Sequence, residues 1–220
     1  MNYNIRFAKR WNDFARKWFV MPSLRRRLKN RDFSLFSNNC NGGFIYHDLG
    51  VRFNSPTINL FFYKDHFFTF LEHLSEYLNC ELRVCHDPEH KPETEYPIFN
   101  LGGDRGLPLI ELHFLHYHDV EKARDTWYKR CRRVDLDNVY AIFSFFDDTD
   151  EDWLKRFDAI DIKNKVAFVN RPFPQYKSAF YIPGCEKDGL GLLNEYVGLK
   201  GRRKYDRFDF VSWFNSVADF

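Results

Sequence analysis

The apolar run Phe33-Ser34-Leu35-Phe36 stops at Ser37-Asn38-Asn39-Cys40-Asn41-Gly42-Gly43, and Phe44 to Leu49 then reads as a short helix ending at Gly50. A strand that feeds a helix through a polar, glycine-bearing loop is the repeating unit of an α/β sheet. It leaves free backbone N–H groups and one thiol at the carboxyl end of the strand. That end is where open α/β sheets hold ligands.

The same alternation runs through the rest of the chain. After the turn Asn54-Ser55-Pro56-Thr57, Ile58–Phe62 reads as extended, and a helix from Asp65 carries Phe67, Phe70, Leu71, Leu74, Tyr77 and Leu78 at intervals of three and four. Glu81–Cys85 and Tyr96–Leu101 read as strands. Gly102-Gly103-Asp104-Arg105-Gly106 matches neither a Walker loop nor a dinucleotide fingerprint, so it reads as a tight turn. Leu109–Tyr117 reads as a central strand, with Ile110, Leu112, Phe114 and His116 on one face. Asp119 caps a helix whose stripe is Val120, Ala123, Trp127 and Cys131. Val139–Phe145 is the clearest strand, and Asp150 opens the next helix, with Trp153, Leu154 and Phe157 inward. Lys165–Val169 repeats the strand pattern, Ser178–Ile182 is an edge, and Phe208–Phe214 is helical. The expected fold is therefore a three-layer, Rossmann-like α/β domain with a mostly parallel sheet, spanning residues 32–220. Aromatic residues make up 19% of the chain, so rings rather than Leu and Val should fill its core.

Residues 1–31 are a different object. They hold ten Lys or Arg against Asp13 alone, a net +9, so the other 189 residues carry −7 of the total of +2. Phe7, Trp11, Phe14, Ala15 and Trp18 recur at helical spacing until Pro22, which defines a basic amphipathic arm. Such a helix either packs on the body through its aromatic face with its charges solvated, or lies on an anionic membrane with its Trp rings in the interface. Nucleic acid is not expected as a partner, because no recognised nucleic-acid module accompanies the charge. No run of about 18 apolar residues and no signal-peptide pattern occurs, which points to the cytosol, or to the inner face of the membrane if the arm anchors there. The five cysteines form an odd set without a C-x-x-C pair and read as reduced thiols.

Cys40 is the sharpest candidate for chemistry. A thiol at a helix N-terminus is expected to ionise more easily, Asn38, Asn39 and the N–H groups of Gly42 and Gly43 can face an oxyanion, and His116 can act as general base. These are the parts of an acyl transferase. Cys40 can equally line a ligand site or be a small packed residue, and His116 with Tyr117 can be a satisfied core pair. Alternation puts His113 opposite His116, which argues against a metal site of three histidines. Arg130 and Arg133, with Lys129 and Arg132, either clamp a donor's phosphates or stabilise the end of their helix. Asp148-x-Asp150 either holds a divalent ion on a nucleotide-sugar, as glycosyltransferases do, or caps the helix that follows.

With Ser37–Tyr46, Asn54-Ser55-Pro56-Thr57, Phe114-Leu115-His116-Tyr117, Trp127 followed by Arg130 and Arg133, and Phe208-Asp209-Phe210-Val211-x-Trp213-Phe214-Asn215 in order, the chain resembles a bacterial family of unknown function. Its members are commonly labelled exopolysaccharide biosynthesis proteins, and the resemblance runs from Phe33 to Asn215. It implies an α/β fold, a glycan substrate and a setting in capsule or exopolysaccharide assembly, and it adds Ser55, Tyr117, Arg130 and Arg133 to the expected binding set. It supplies no cofactor and no reaction. An acyltransferase, a glycosyltransferase and a non-catalytic subunit of a membrane-associated assembly are all compatible with it.

Overall fold

A computed structural model of the chain describes residues 3–91, 95–104, 106–187 and 189–216. In chain order the strands are β1 (Ser34–Ser37), β2 (Arg83–Val84), β3 (Ile98–Leu101), β4 (Ile110–His113), β5 (Val139–Ser144), β6 (Asn164–Val169), β7 (Ala179–Tyr181), β8 (Tyr196–Val197) and β9 (Arg202–Arg203). The helices are α1 (Tyr3–Ala15), α2 (Met21–Arg27), α3 (Asn41–Leu49), α4 (Lys64–Glu72), α5 (Leu74–Tyr77), α6 (Val120–Cys131), α7 (Glu151–Ala159) and α8 (Phe210–Asn215).

The central sheet is parallel, in the order β1-β5-β6-β7. It is covered on both faces, and the pleat of β5 shows how. Tyr140 points to one side, against Phe33, Trp213 and Phe214 of α8, and Phe33 stacks on Tyr46 of α3. Phe143, three residues on and therefore on the opposite face, packs on Phe67 and Phe68 of α4 and Phe157 of α7. The β6 register pairs Ile142 with Val166 and Ser144 with Phe168, and Phe168 accordingly meets Phe210 on the α8 side. The result is the three-layer α/β arrangement, with ring-on-ring packing through both interlayer spaces.

β1 forms one edge of this sheet, and its outer backbone is not left open. The Leu35 N–H donates to the Tyr46 hydroxyl, which donates in turn to the Phe33 carbonyl, while the Ser37 N–H donates to Thr57 Oγ1. These contacts occupy groups that would otherwise template pairing with another chain.

Several elements depart from the expected pattern. Leu109–Tyr117 is not a strand of the central sheet: β4 ends at His113 and pairs antiparallel with β3 in a separate sheet ordered β2-β3-β4. The glycine loop explains this, since Gly102 and Gly103 take positive φ (76° and 80°) and fold the chain back into a hairpin. His116 therefore lies in the turn after β4, where the Tyr117 N–H donates to the Phe114 carbonyl. Ile58–Phe62 is a turn followed by a single bridge, Phe61 to His113. The helix from Asp65 breaks at His73. Pro22 does not end the arm: the helix runs on through the π turn Arg16–Val20 into α2, and Pro22 follows directly after that turn, where the α-helical ladder is already interrupted. The β8–β9 hairpin was not legible in the pattern.

The arm docks on the body with the face opposite to the expected one. Arg16 is buried, bonded to Asp48 through Nε at 3.0 Å and through Nη2, to Asp206 at 2.6 and 3.1 Å, to the Gly201 carbonyl and to the Tyr205 hydroxyl. Asn12 bonds the backbone of Gly198 and Gly201. Gly201, at φ 66°, admits the approach, since a Cβ there would lie 2.5 Å from the Arg16 nitrogen. Ala15 is buried, whereas Phe7, Trp11, Phe14 and Trp18 are exposed.

Candidate functional site

Cys40 sits at the N-cap of α3, at the carboxyl end of β1. The loop that carries it is pinned to the next strand. Asn38 exchanges two hydrogen bonds with Ser144, Nδ2 to the carbonyl at 3.2 Å and the Ser144 N–H to Oδ1 at 3.1 Å, and Asn41 Nδ2 donates to Ser144 Oγ. Asn39 Oδ1 accepts from the Asn41 N–H at 3.0 Å, which satisfies one of the free donors of the first helical turn. The Gly42 and Gly43 N–H groups occupy the next two positions, which have no acceptor within the helix. Gly42 is glycine for packing as well, since a Cβ would lie 2.9 Å from Ser37 Cβ.

Against this loop the turn after β4 delivers His116, with Nε2 3.2 Å from Cys40 Sγ. The thiol is half-buried and the imidazole exposed. Among the described residues no carboxylate bonds the other ring nitrogen, so the pair is a dyad rather than a triad. Burial pushes the Cys40 thiol above its ordinary value, contrary to the lowering expected from the helix dipole. A thiol raised by burial depends on a base beside it to become the attacking thiolate.

Tyr117 ties this turn to the arginines. Its hydroxyl accepts from Arg130 Nη1 at 3.2 Å, and the same guanidinium donates to the Ile58 carbonyl at 2.8 Å and lies over the Phe53 ring. The Ile58 side chain packs within 3.3 Å of where a Gly43 Cβ would be. Arg133 donates to the Phe53 carbonyl. Arg130 and Arg133, with Arg52 and Lys129, line an open cleft of about 390 Å³ whose other walls are Val51, Phe53 and Thr126. No acid lines it. Burial, and then repulsion from Arg52 and Arg130, lowers the Arg133 guanidinium from its ordinary value. The lining of this cleft does not include Cys40 or His116, so the arginines adjoin the dyad rather than share its surface.

Other expected site residues are used as scaffold. Ser55 is fully buried and bonded to Thr57 through both its hydroxyl and the Thr57 N–H. Asn38 spends both ends of its amide on Ser144. Asp150 caps α7 through the N–H groups of Asp152 and Trp153, and Asp148 holds Asn170 and Arg171. His113 is buried on the far side of β4 beside the Tyr96 hydroxyl. Ser144 and Arg52 were missed by the sequence reading: the first is one more polar residue at a strand end, and the second becomes a cleft residue only once Gly50 turns the chain after α3.

The fold and this loop define a three-layer α/β protein with a cysteine–histidine pair at the carboxyl end of its parallel sheet. The chain belongs to the domain of unknown function DUF1919, whose match covers residues 11–215. It is also similar to an uncharacterized protein of Haemophilus influenzae, 36% identical over 200 residues that span 90% of this chain and 92% of that one. The match reaches back into the arm, which the resemblance read from the motifs did not.

Proposed function

We propose that the chain is an acyltransferase that passes an acyl group through Cys40 to a sugar hydroxyl of a cell-surface glycan, in the cytosol and peripheral to the inner face of the membrane. The observation that carries this reading is the 3.2 Å approach of His116 Nε2 to Cys40 Sγ, the contact through which a base takes a thiol proton as the sulfur attacks. In the first step Sγ bonds to the acyl carbon while its proton passes to Nε2, and the donor's leaving group departs with that proton. In the second, Nε2 takes the proton of the sugar hydroxyl, the oxygen attacks the thioester carbon, and Cys40 leaves and is reprotonated from His116. The Gly42 and Gly43 N–H groups are the donors at hand for the oxyanion of both steps. For a phosphate-bearing donor the neighbouring cleft offers Arg52, Lys129, Arg130 and Arg133. The glycan acceptor rests on the family resemblance rather than on geometry.

Glycosyl transfer is the runner-up and has less to stand on, since the acids it would use for a metal-held diphosphate already cap α7 and hold Arg171. The decisive experiment is intact-mass analysis of the protein incubated with a panel of acyl thioesters. The expected result is one acyl adduct on Cys40, absent in Cys40→Ser and formed at least tenfold more slowly in His116→Ala. A folded protein that takes no adduct at Cys40 from any donor, or takes it at the same rate without His116, overturns the reading.

A further inference from the structure

α1 turns its aromatic stripe outward. Phe7 is 66% exposed, Trp11 45%, Phe14 47% and Trp18 60%. Residues Arg16–Val20 form a π turn between α1 and α2, and the extra residue in that turn rotates Phe19, 66% exposed, onto the same surface, where its ring lies 6.2 Å from Phe14. Leu199 in the turn between β8 and β9 extends the patch, and together with Phe7 and Trp11 it lines a shallow apolar cleft. Arg6, Arg10 and Lys17 flank these rings along one side of the helix and are exposed, with no carboxylate partner among the described residues. Asp13, the arm's single acid, is engaged by the Tyr196 hydroxyl at 2.6 Å.

We infer that this face is a docking surface for an anionic phospholipid bilayer, with the rings at the level of the acyl-chain boundary and the three cations among the headgroups. It deepens the peripheral location proposed above, and it does not depend on the thiol chemistry. The charge argument selects the occupant. A second copy meeting this face about a two-fold axis would bring the same cations against themselves, whereas an anionic surface is attracted by each of them. Helices that lie in the interface plane have this composition, Trp and Phe on one side and Lys and Arg on the other.

The docked face explains why the rings are free to serve. Asn12, Ala15 and Arg16 hold the helix to the body, so membrane contact needs no undocking and fixes the whole domain's orientation. The anchor also meets the helix that carries the candidate site. Arg16 grips Asp48 near the end of α3, and Cys40 caps the start of the same helix, eight residues or about 12 Å away at 1.5 Å per residue.

The test is co-sedimentation of the full chain with vesicles of phosphatidylcholine alone and of phosphatidylcholine with a quarter phosphatidylglycerol. Binding is expected only to the anionic vesicles and should weaken in 0.5 M salt. Arg10→Ala with Lys17→Ala should reduce the partition coefficient about 30-fold, and Phe14→Ser with Trp18→Ser should abolish sedimentation while leaving the circular dichroism spectrum unchanged. Equal binding to both vesicle types overturns the inference, as do ring variants that bind like the natural chain. A dimer in light scattering that the ring variants disperse would assign the face to a second copy instead. No substrate enters this assay, so its failure and the failure of the acyl-transfer reading are separate results.

Discussion

Replacing Arg16 with Ala should be among the most destabilising single changes in the chain. The Arg16 side chain is 2% exposed, and its partners Asp48 and Asp206 are 3% and 6% exposed. Removing one member of a buried ion pair leaves the other charge desolvated without compensation, which typically costs about 3 to 5 kcal/mol. Two carboxylates lose their partner here, but neither is stranded. Asp48 keeps the Tyr205 hydroxyl at 2.6 Å and Arg203 at 3.5 Å, and Asp206 keeps the Arg203 N–H at 2.7 Å. The lower half of the range, about 3 to 4 kcal/mol, is therefore expected. With a urea slope near 2 to 3 kcal/mol per molar, the unfolding midpoint should fall by roughly 1 to 2 M. Arg16→Lys should recover part of the loss, since it restores charge but not the fork that reaches both acids. The pH dependence provides a second readout. Burial pushes the Asp48 carboxyl up, but its hydrogen bonds from Arg16 and Tyr205 and the nearby guanidinium charges hold it below the ordinary carboxylate range. Its contribution is therefore present above the unfolded-state value near 3.9 and lost as pH falls through the lower folded value. Arg16→Ala should flatten this acid limb. A midpoint within about 0.2 M of the natural chain's would refute the reasoning, because it would mean that the arm is not held by this network.

Burial pushes the Cys131 thiol up to about 12, so iodoacetamide at pH 8 should alkylate Cys40 well before Cys131, and a reversed order in peptide mapping would count against the dyad. Burial also drives His113 down to about 4, only partly opposed by Glu111. The unfolded state then binds more protons between about pH 6.5 and 4, so stability should fall as pH drops through that window, by at most about 3 kcal/mol, and urea titrations of His113→Gln should lack this slope. Arg130→Ala and Arg133→Ala should each weaken binding of pyrophosphate in calorimetry by tenfold or more, while Arg132→Ala, outside the cleft, should not. Gly42→Ala should cost about 1 to 3 kcal/mol by forcing α3 off the end of β1, more than Gly43→Ala, whose nearest neighbour is a movable Ile58 methyl at 3.3 Å.

Most of the elements could be read in advance because their signals are local. The stripes of α6 and α7, the caps Asp119 and Asp150, the strands β5 and β6 and the Gly50 stop of α3 are each written within a dozen residues. The pairing of Cys40 with His116 was legible only as two strand ends that an α/β sheet tends to bring together. It came about by another route, with His116 arriving on a turn from a second, antiparallel sheet. Ser55 looked available because a turn residue usually is, and it is buried because Thr57 folds back on it beneath β1.

The alternating periods of the sequence determined by themselves that this chain builds helices and strands in α/β order, and its charges determined that the first 31 residues differ from the rest. Which strands share a sheet, which loop meets the thiol and which side of the arm faces the body were decided by the tertiary structure alone. The physical reason is clearest at Arg16. By pattern it belongs on the solvated face, and it is buried because Asp48 and Asp206, 32 and 190 residues away, are brought to its guanidinium. The rings that pattern would bury are left facing outward.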